Sequence, residues 1–531
     1  MTLQEKIGQF FFPAVFINDT EENIQEMEQL IKAQHIGGLT FFHSRASAAT
    51  NYESKKKIVI NDASYLRLKE LIARYQKSAS IPLLISIDAE WGLAMRVEKT
   101  PQYPYAITLG ALPEDKADLV YTVGKQIASD LLSAGIHYNL APLADINNNP
   151  NNPVIGYRSF GESKEKIAHF ALEYARGMND AGVLSCLKHF PGHGNTSIDS
   201  HLDLPVLNET LDELLENELY PFIEGIKNNI DSIMIGHLAV SALNDGKNTS
   251  ATLSKNVIEG LLRKRLGYEG LVISDALNMH SVSKLYPVKG QLEWEAFNAG
   301  NDVLCFAENV AEGIEAILKN ATPERIDASF NRLMACKEKV GLLKNHQAIG
   351  KLDFDAAVQL NTELAKYSLT IIKDNDNSKA VQEASINNKL ACISLYKPAN
   401  CSFSNTLSSH LNLTNYSLND ENIQETENIF EALSQYETII IALFLPKAKP
   451  ANNFDIHPEI LALVSKILLE EKSILYSFGN PYALQHIPNL NAASGIVQVY
   501  QDFEEFQKNA ADQLLNNSLT YGTLPVAVSF L

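Results

Sequence analysis

The segment 188–201, KHFPGHGNTSIDSH, gathers one lysine, three histidines and one aspartate in fourteen residues. Two chemistries compete for it. His189 and His193 stand four apart, the spacing of a helical zinc pair. Pro191 and Gly192 lie between them and Gly194 follows, which opposes a helix and removes that argument. Asp199 and His201 stand two apart. In extended backbone such residues point to the same side. The carboxylate would then orient the ring and hold its tautomer, leaving the other nitrogen to exchange a proton with a substrate. A loop aspartate and histidine that only cap turns and meet water would show the same spacing.

Other candidates follow apolar runs. Asp275 closes VIS within VISDA, where a nucleophile, a ligand-binding carboxylate or a helix N-cap would sit. Asp88-Ala89-Glu90-Trp91 places two carboxylates and one of the two tryptophans after another run. Arg158, in PVIGYRSFG, offers a fork suited to carboxylate, phosphate or sugar hydroxyls; a surface ion pair would use it equally well.

These residues need elements to position them. Apolar runs lie at 7–15, 36–42, 82–88, 138–145, 184–190, 232–238, 271–277 and 302–306. Continuous rather than alternating hydrophobicity suits strands buried on both faces, as in a parallel sheet. Helical spacing over 114–134, 164–181 and 291–299 stops each time at an Ala-Gly pair, where glycine closes a helix. Eight such units predict an α/β fold built on a (β/α)8 TIM-like barrel, with a doubly wound open sheet as the alternative. Asp88, Asp145, Lys188 with His189, His237 and Asp275 end runs, so a barrel would bring them to one rim. The expected division is a catalytic barrel over 1–345, a linker over 346–365 and a smaller α/β sandwich domain over 366–531. Strands in that last part are expected at 369–374, 390–396, 437–445, 473–478 and 494–500.

Composition narrows the function classes. Hydrophobic residues make up 45% and charged residues 20%, as in ordinary globular proteins. The net charge of −19 argues against nucleic acid or an anionic membrane surface as partner. The cysteines, five and without a CxxC pair, predict neither a disulfide framework nor a thiolate zinc site. No apolar run approaches the ~18 residues of a membrane span. Met1 is followed by Thr-Leu-Gln-Glu-Lys, unlike a signal peptide, so the expected compartment is the cytoplasm, or the periplasm or exterior if a signal segment has been trimmed.

Taken together, KHFPGHG (188–194), DSH (199–201), PVIGYRSFG (153–161), IDAEWG (87–92), IMIGHL (233–238) and VISDAL (272–277) resemble glycoside hydrolase family 3, in its β-N-acetylglucosaminidase branch. The likeness covers about the first 340 residues, and ELAKYSLTIIKDN (363–375) and TLPVAVSF (523–530) extend it. The resemblance implies a retaining, exo-acting β-N-acetylhexosaminidase that removes terminal β-linked N-acetylglucosamine, with peptidoglycan fragments among the substrates. Asp275 matches the nucleophile, His201 the acid/base and Asp199 its dyad partner. Asp88, Arg158, Lys188 and His189 match contacts to the terminal sugar, and Arg96 and His237 match further contacts to it. No metal and no organic cofactor is implied. Glu90-Trp91-Gly92 departs from the Gly-Gly pair that many members carry after the glutamate. The alternatives on the same scaffold are a β-N-acetylglucosaminide phosphorylase and a β-glucosidase. A non-catalytic carbohydrate-binding protein is the alternative of another class.

Overall fold

Long amphipathic helices alternate with short, fully buried strands through most of the chain. The computed structural model describes residues 1–44, 60–196, 204–244, 246–344, 349–375 and 377–529. The chain forms two compact units. The first comprises Met1–Tyr103, Val120–Ile155 and Ser163–Ala357; the second comprises Pro104–Leu119, Gly156–Glu162 and Val358–Leu531.

The strands of the first unit are β1 (Phe11–Phe12), β2 (Ala14–Phe16), β3 (Gly38–Phe42), β4 (Leu84–Ile87), β5 (Tyr138–Asn139), β6 (Cys186–Phe190), β7 (Val206–Leu207), β8 (Ser232–Ile235), β9 (Ala239–Val240), β10 (Leu271–Ser274) and β11 (Leu304–Cys305). One parallel sheet has the order β2-β3-β4-β5, another the order β10-β8-β6, and β1 pairs in parallel with β11. Isolated parallel bridges join Tyr138 to Leu184, Leu143 to Lys188 and Ile273 to Val303. Every one of the eight apolar runs therefore holds a strand. The short β7–β9 pair, formed outside those runs, was not expected from the sequence.

The strands meet in a shared core. Phe12, Leu84, Tyr138, Cys186, Met234, Ile273 and Cys305 belong to one buried cluster, and Phe42 packs against it. Their apolar area leaves water together, at roughly 25 cal/mol per Å2 buried. The helix Lys164–Ala181 shows how the intervening segments are punctuated. The Ser163 hydroxyl accepts the Lys166 N–H at its start, and Gly182 closes its end in the left-handed region, at φ 95°. The 114–134 segment begins as a 3-10 turn, Glu114–Lys116, and continues as the helix Ala117–Ala134.

The second unit is built on one six-stranded sheet. Its strands are β12 (Thr370–Lys373), β13 (Leu390–Leu395), β14 (Thr414–Leu418), β15 (Thr438–Phe444), β16 (Ser473–Phe478) and β17 (Gly495–Gln498), in the order β12-β17-β16-β15-β13-β14. Only β12 runs antiparallel to its neighbour. Ile393, Ile441 and Leu475 face one way, into a cluster with Phe430, Val464 and Ile467. On the opposite face Tyr476 packs tilted, and Phe478 edge-on, against Phe403 of the helix Ser402–Ser408. Alternate residues along β16 thus face opposite sides of the sheet.

Three differences from the sequence reading stand out. The stretch expected as a linker, 346–365, holds most of the helix Phe354–Ser368, and the units divide at Ala357. The second unit also takes in 104–119 and 156–162 from the early chain. Glu162 N–H bonds the Pro525 carbonyl, Gln501 Nε2 bonds Thr108 Oγ1, and Ile107 joins the second core. The edge strand β14 was also missed: Asn415, Tyr416 and Ser417 are only half-buried, so no apolar run marks it.

Candidate functional site

The strands of the first unit deliver ionisable side chains just past their ends. Lys188 lies within β6, and its side chain is 2% exposed. Its Nζ donates to Asp88 Oδ1 at 2.9 Å and pairs with Glu90 Oε1 at 2.8 Å. Asp88 and Glu90 follow β4, two residues apart. Arg96 Nη2 donates to the other Asp88 oxygen at 3.3 Å, and its guanidinium lies 5.4 Å from the Phe42 ring centre. Burial alone would raise the Asp88 carboxyl. The ammonium of Lys188 and the guanidinium of Arg96 outweigh it and hold the group below its ordinary value, so Asp88 is a carboxylate.

Asp145 organises the neighbouring residues. It is fully buried. Its Oδ2 pairs with His189 Nδ1 at 2.8 Å. Its Oδ1 accepts the backbone N–H groups of His189 at 3.1 Å and His193 at 2.7 Å. Three contacts on one carboxylate fix which ring nitrogen of His189 stays available to a ligand. The turn after β6 is locked from a second side. Asn152 Nδ2 donates to the carbonyls of His193 and Gly194, both at 2.9 Å, and Asn149 Nδ2 to that of Thr196 at 3.0 Å. Gly194 is required there, because a Cβ would stand 1.5 Å from the Ile146 carbonyl oxygen.

His193 completes this group. Its ring centre lies 5.9 Å from that of His189, and Nδ1 meets Thr196 Oγ1 at 2.6 Å. Burial, reinforced by the repulsion of His189, lowers it to about 4, against the pull of Asp145 and Asp275. It is therefore neutral at physiological pH, and it lies within electrostatic reach of Asp275.

Asp275 follows β10 directly and is half-buried. Its Oδ1 accepts the Ala276 N–H at 2.7 Å. His237 meets Thr252 Oγ1 through Nδ1 at 2.8 Å and donates from Nε2 to the Ala276 carbonyl at 2.9 Å. Both of its nitrogens are engaged within the protein, beside Asp275. Arg158 ends the 3-10 turn Gly156–Arg158, which belongs to the second unit. Asp199 and His201 lie outside the described residues.

The structure thus brings Asp88, Arg96 and Lys188 into one ion-paired cluster and places His189 on Asp145. Sequence reasoning noted Asp145 and Glu90 after strands but assigned them no role. Asp145 carried a signal in its place after the fourth apolar run. Asn152 carried none, since its function is to bond backbone carbonyls far away in sequence. Among the described residues no group of three His, Cys, Asp or Glu side chains is arranged to hold a metal ion. No helix among them is long and apolar enough to cross a membrane.

The glycosyl hydrolase family 3 N-terminal domain matches residues 2–336. Beta-hexosaminidase A of Pseudoalteromonas piscicida is 32% identical over 392 residues, covering 67% of this chain and 63% of that protein. A beta-hexosaminidase of Xylella fastidiosa (strain M12) is 34% identical over 264 residues, covering 48% of this chain and 77% of its own length. Among solved structures, a glycoside hydrolase family 3 beta-N-acetylglucosaminidase from Paenibacillus sp. str. FPU-7 superposes with a TM-score of 0.79 at 28% identity, covering 99% of both chains.

Proposed function

The chain belongs to glycosyl hydrolase family 3, and from that premise we propose that it is a retaining, exo-acting β-N-acetylhexosaminidase removing terminal β-linked N-acetylglucosamine. Peptidoglycan fragments are among its substrates. The first unit is a (β/α)8 barrel on this reading, which the parallel bridges at Tyr138–Leu184 and Ile273–Val303 and the parallel β1–β11 pair support. The second unit is an α/β sandwich.

The single observation that carries the reading is the placement of Asp275. It is a half-buried carboxylate at the end of a parallel strand, within electrostatic reach of the His193 that packs beside His189. Lys188, Asp88, Arg96 and His189 provide charged donors and acceptors for the hydroxyls of one sugar. His237 acts through the Ala276 carbonyl, steadying the residue next to the nucleophile.

In the first step an Asp275 oxygen attacks C1 and a covalent glycosyl ester forms. The bond from C1 to the leaving oxygen breaks, and that oxygen takes a proton from His201. In the second step His201, now neutral, takes a proton from water. The water oxygen attacks C1 and Asp275 leaves as a carboxylate, so configuration is retained. Asp199 orients His201 and stabilises its cationic form.

Product analysis on a β-N-acetylglucosaminide, with and without phosphate, tests the reading. Free N-acetylglucosamine released first as its β-anomer, in both conditions, is expected. An N-acetylglucosamine 1-phosphate product would replace hydrolysis by phosphorolysis. A first-formed α-anomer would exclude the covalent route.

A further inference from the structure

A cavity opens close to Asp275, and nothing in the steps above uses it. It measures about 210 Å3, opens to solvent, and is lined by Leu277, Ser283, Tyr286, Glu293, Glu308 and Asn309, with Lys289 also in its wall. Leu277 is two residues past Asp275, so its Cα lies within ~7 Å of that of Asp275. Its N–H bonds the Cys305 carbonyl at 3.0 Å, which sets this wall between the ends of β10 and β11.

The lining is carboxylate-rich. Glu293 is 1% exposed. Its Oε1 accepts from the backbone N–H and the side-chain amide of Asn309, at 3.0 and 3.3 Å. Its Oε2 is buried and has no hydrogen-bond partner among the described residues. A buried carboxylate oxygen left without a donor is costly and wants one. Burial, then the charge of Glu293, raises the Glu308 carboxyl above its ordinary value. Lys289 does not neutralise the pair: it is 73% exposed and reaches Glu312 at 3.7 Å.

Two carboxylates that repel one another, one with an unfilled acceptor, suit a cation that carries several N–H donors. A cavity of this size holds one small ring and no longer chain. We propose that it is a leaving-group subsite that binds an ammonium, so that the enzyme favours β-N-acetylglucosaminides whose next residue is an amino sugar with a free amine. The ammonium donates to Glu308 and, once a small turn of the Glu293 side chain uncovers it, to Glu293 Oε2, and the Ser283 and Tyr286 hydroxyls meet ring hydroxyls. This rests on the hydrolase reading, because it places the substrate's scissile bond at Asp275.

The test compares three substrates: N-acetylglucosaminyl-β-1,4-glucosamine, its fully N-acetylated counterpart and an aryl β-N-acetylglucosaminide. One charge-assisted contact corresponds to a preference of about tenfold in kcat/KM for the amine-bearing disaccharide. Glu293→Gln and Glu308→Gln are each expected to remove most of that preference while leaving the aryl glycoside rate unchanged. Glutamine can still accept from Asn309, and an unchanged melting midpoint confirms the fold. Equal kcat/KM for the two disaccharides, or a preference that survives both variants, overturns the proposal. Titration calorimetry with glucosamine below neutral pH decides separately: binding to wild type that is lost in the double variant supports the cavity, and absence of binding refutes it. Wild type that cleaves no aryl glycoside yet binds glucosamine would overturn the hydrolase reading and not the cavity.

Discussion

The parallel strands of the two units end on different chemistry. In the first unit β4 runs into Asp88, β5 leads to Asp145, β6 carries Lys188 and His189, and β10 runs into Asp275. In the second unit β13, β15 and β16 run into Tyr396, Leu445 and Gly479. Both sheets are buried and both are covered by helices, so packing alone does not require the charges. Buried ions cost several kcal/mol each unless they are paired. A sheet built only for stability would discard them, as the second one has done. Their concentration at one set of strand ends marks the place where something outside the protein uses them.

Substitutions break this contrast most sharply at Asp275. Asp275→Ala is expected to lower hydrolysis of an aryl β-N-acetylglucosaminide on the order of 10^4-fold or more, with the melting midpoint little changed. A rate near wild type would separate the strand-end charges from catalysis. Lys188→Ala acts on both activity and fold. Removing the cation leaves Asp88 and Glu90 side by side, so a stability loss of about 3–5 kcal/mol is expected in denaturant titrations, together with a raised KM. Loss of stability with KM unchanged would make the cluster purely structural. Asp145→Ala frees the His189 ring and leaves three donors unpaired. Misplacing a positioned group costs about 10^2-fold, and that fall in kcat/KM is the expected result.

A charge away from the strand ends should behave in the opposite way. Asp130 lies in the helix Ala117–Ala134, where it accepts from the Tyr103 hydroxyl at 2.9 Å. Burial, only partly offset by that bond, raises it from 3.8 to about 7. A raised acid contributes stability that is complete below its unfolded value and is lost as pH climbs through the folded one. Asp130→Asn is therefore expected to raise the melting midpoint at about pH 8 and leave it unchanged at about pH 3. A lower midpoint at the higher pH would show the charged form to be useful there. The smallest effect belongs to the second sheet. Gln498 Nε2 donates to the Gly479 carbonyl at 2.7 Å. Gln498→Ala should cost about 1 kcal/mol of stability and leave the aryl glycoside rate unchanged.

What was legible in the sequence followed from chain-local signals. Eight apolar runs located the strands because a strand buried on both faces needs no polar alternation. Ala-Gly pairs located helix ends such as Gly182 because a left-handed closure leaves few alternatives to glycine. Asp88, Lys188 and Asp275 were visible as polar residues ending apolar runs. What was hidden depends on contacts between distant residues. Nothing around Asn152 reveals that its amide holds the carbonyls of His193 and Gly194. Nothing in 104–119 or 156–162 shows that these stretches pack with residues beyond 357, since their apolar residues would serve either unit equally well. The half-exposed edge strand β14 lacked the continuous hydrophobicity that marked its neighbours.

The central claim is that Asp275 becomes glycosylated during turnover. His201→Ala should slow the second step more than the first when the leaving group is an activated aryl alcohol, because such a group departs without a proton. The intermediate then accumulates. Mass spectrometry of peptides from the acid-quenched variant is expected to show one N-acetylglucosaminyl group on the peptide containing Asp275, absent in the Asp275→Ala double variant. An unmodified Asp275 peptide during steady turnover, or an adduct on another residue, would contradict the account.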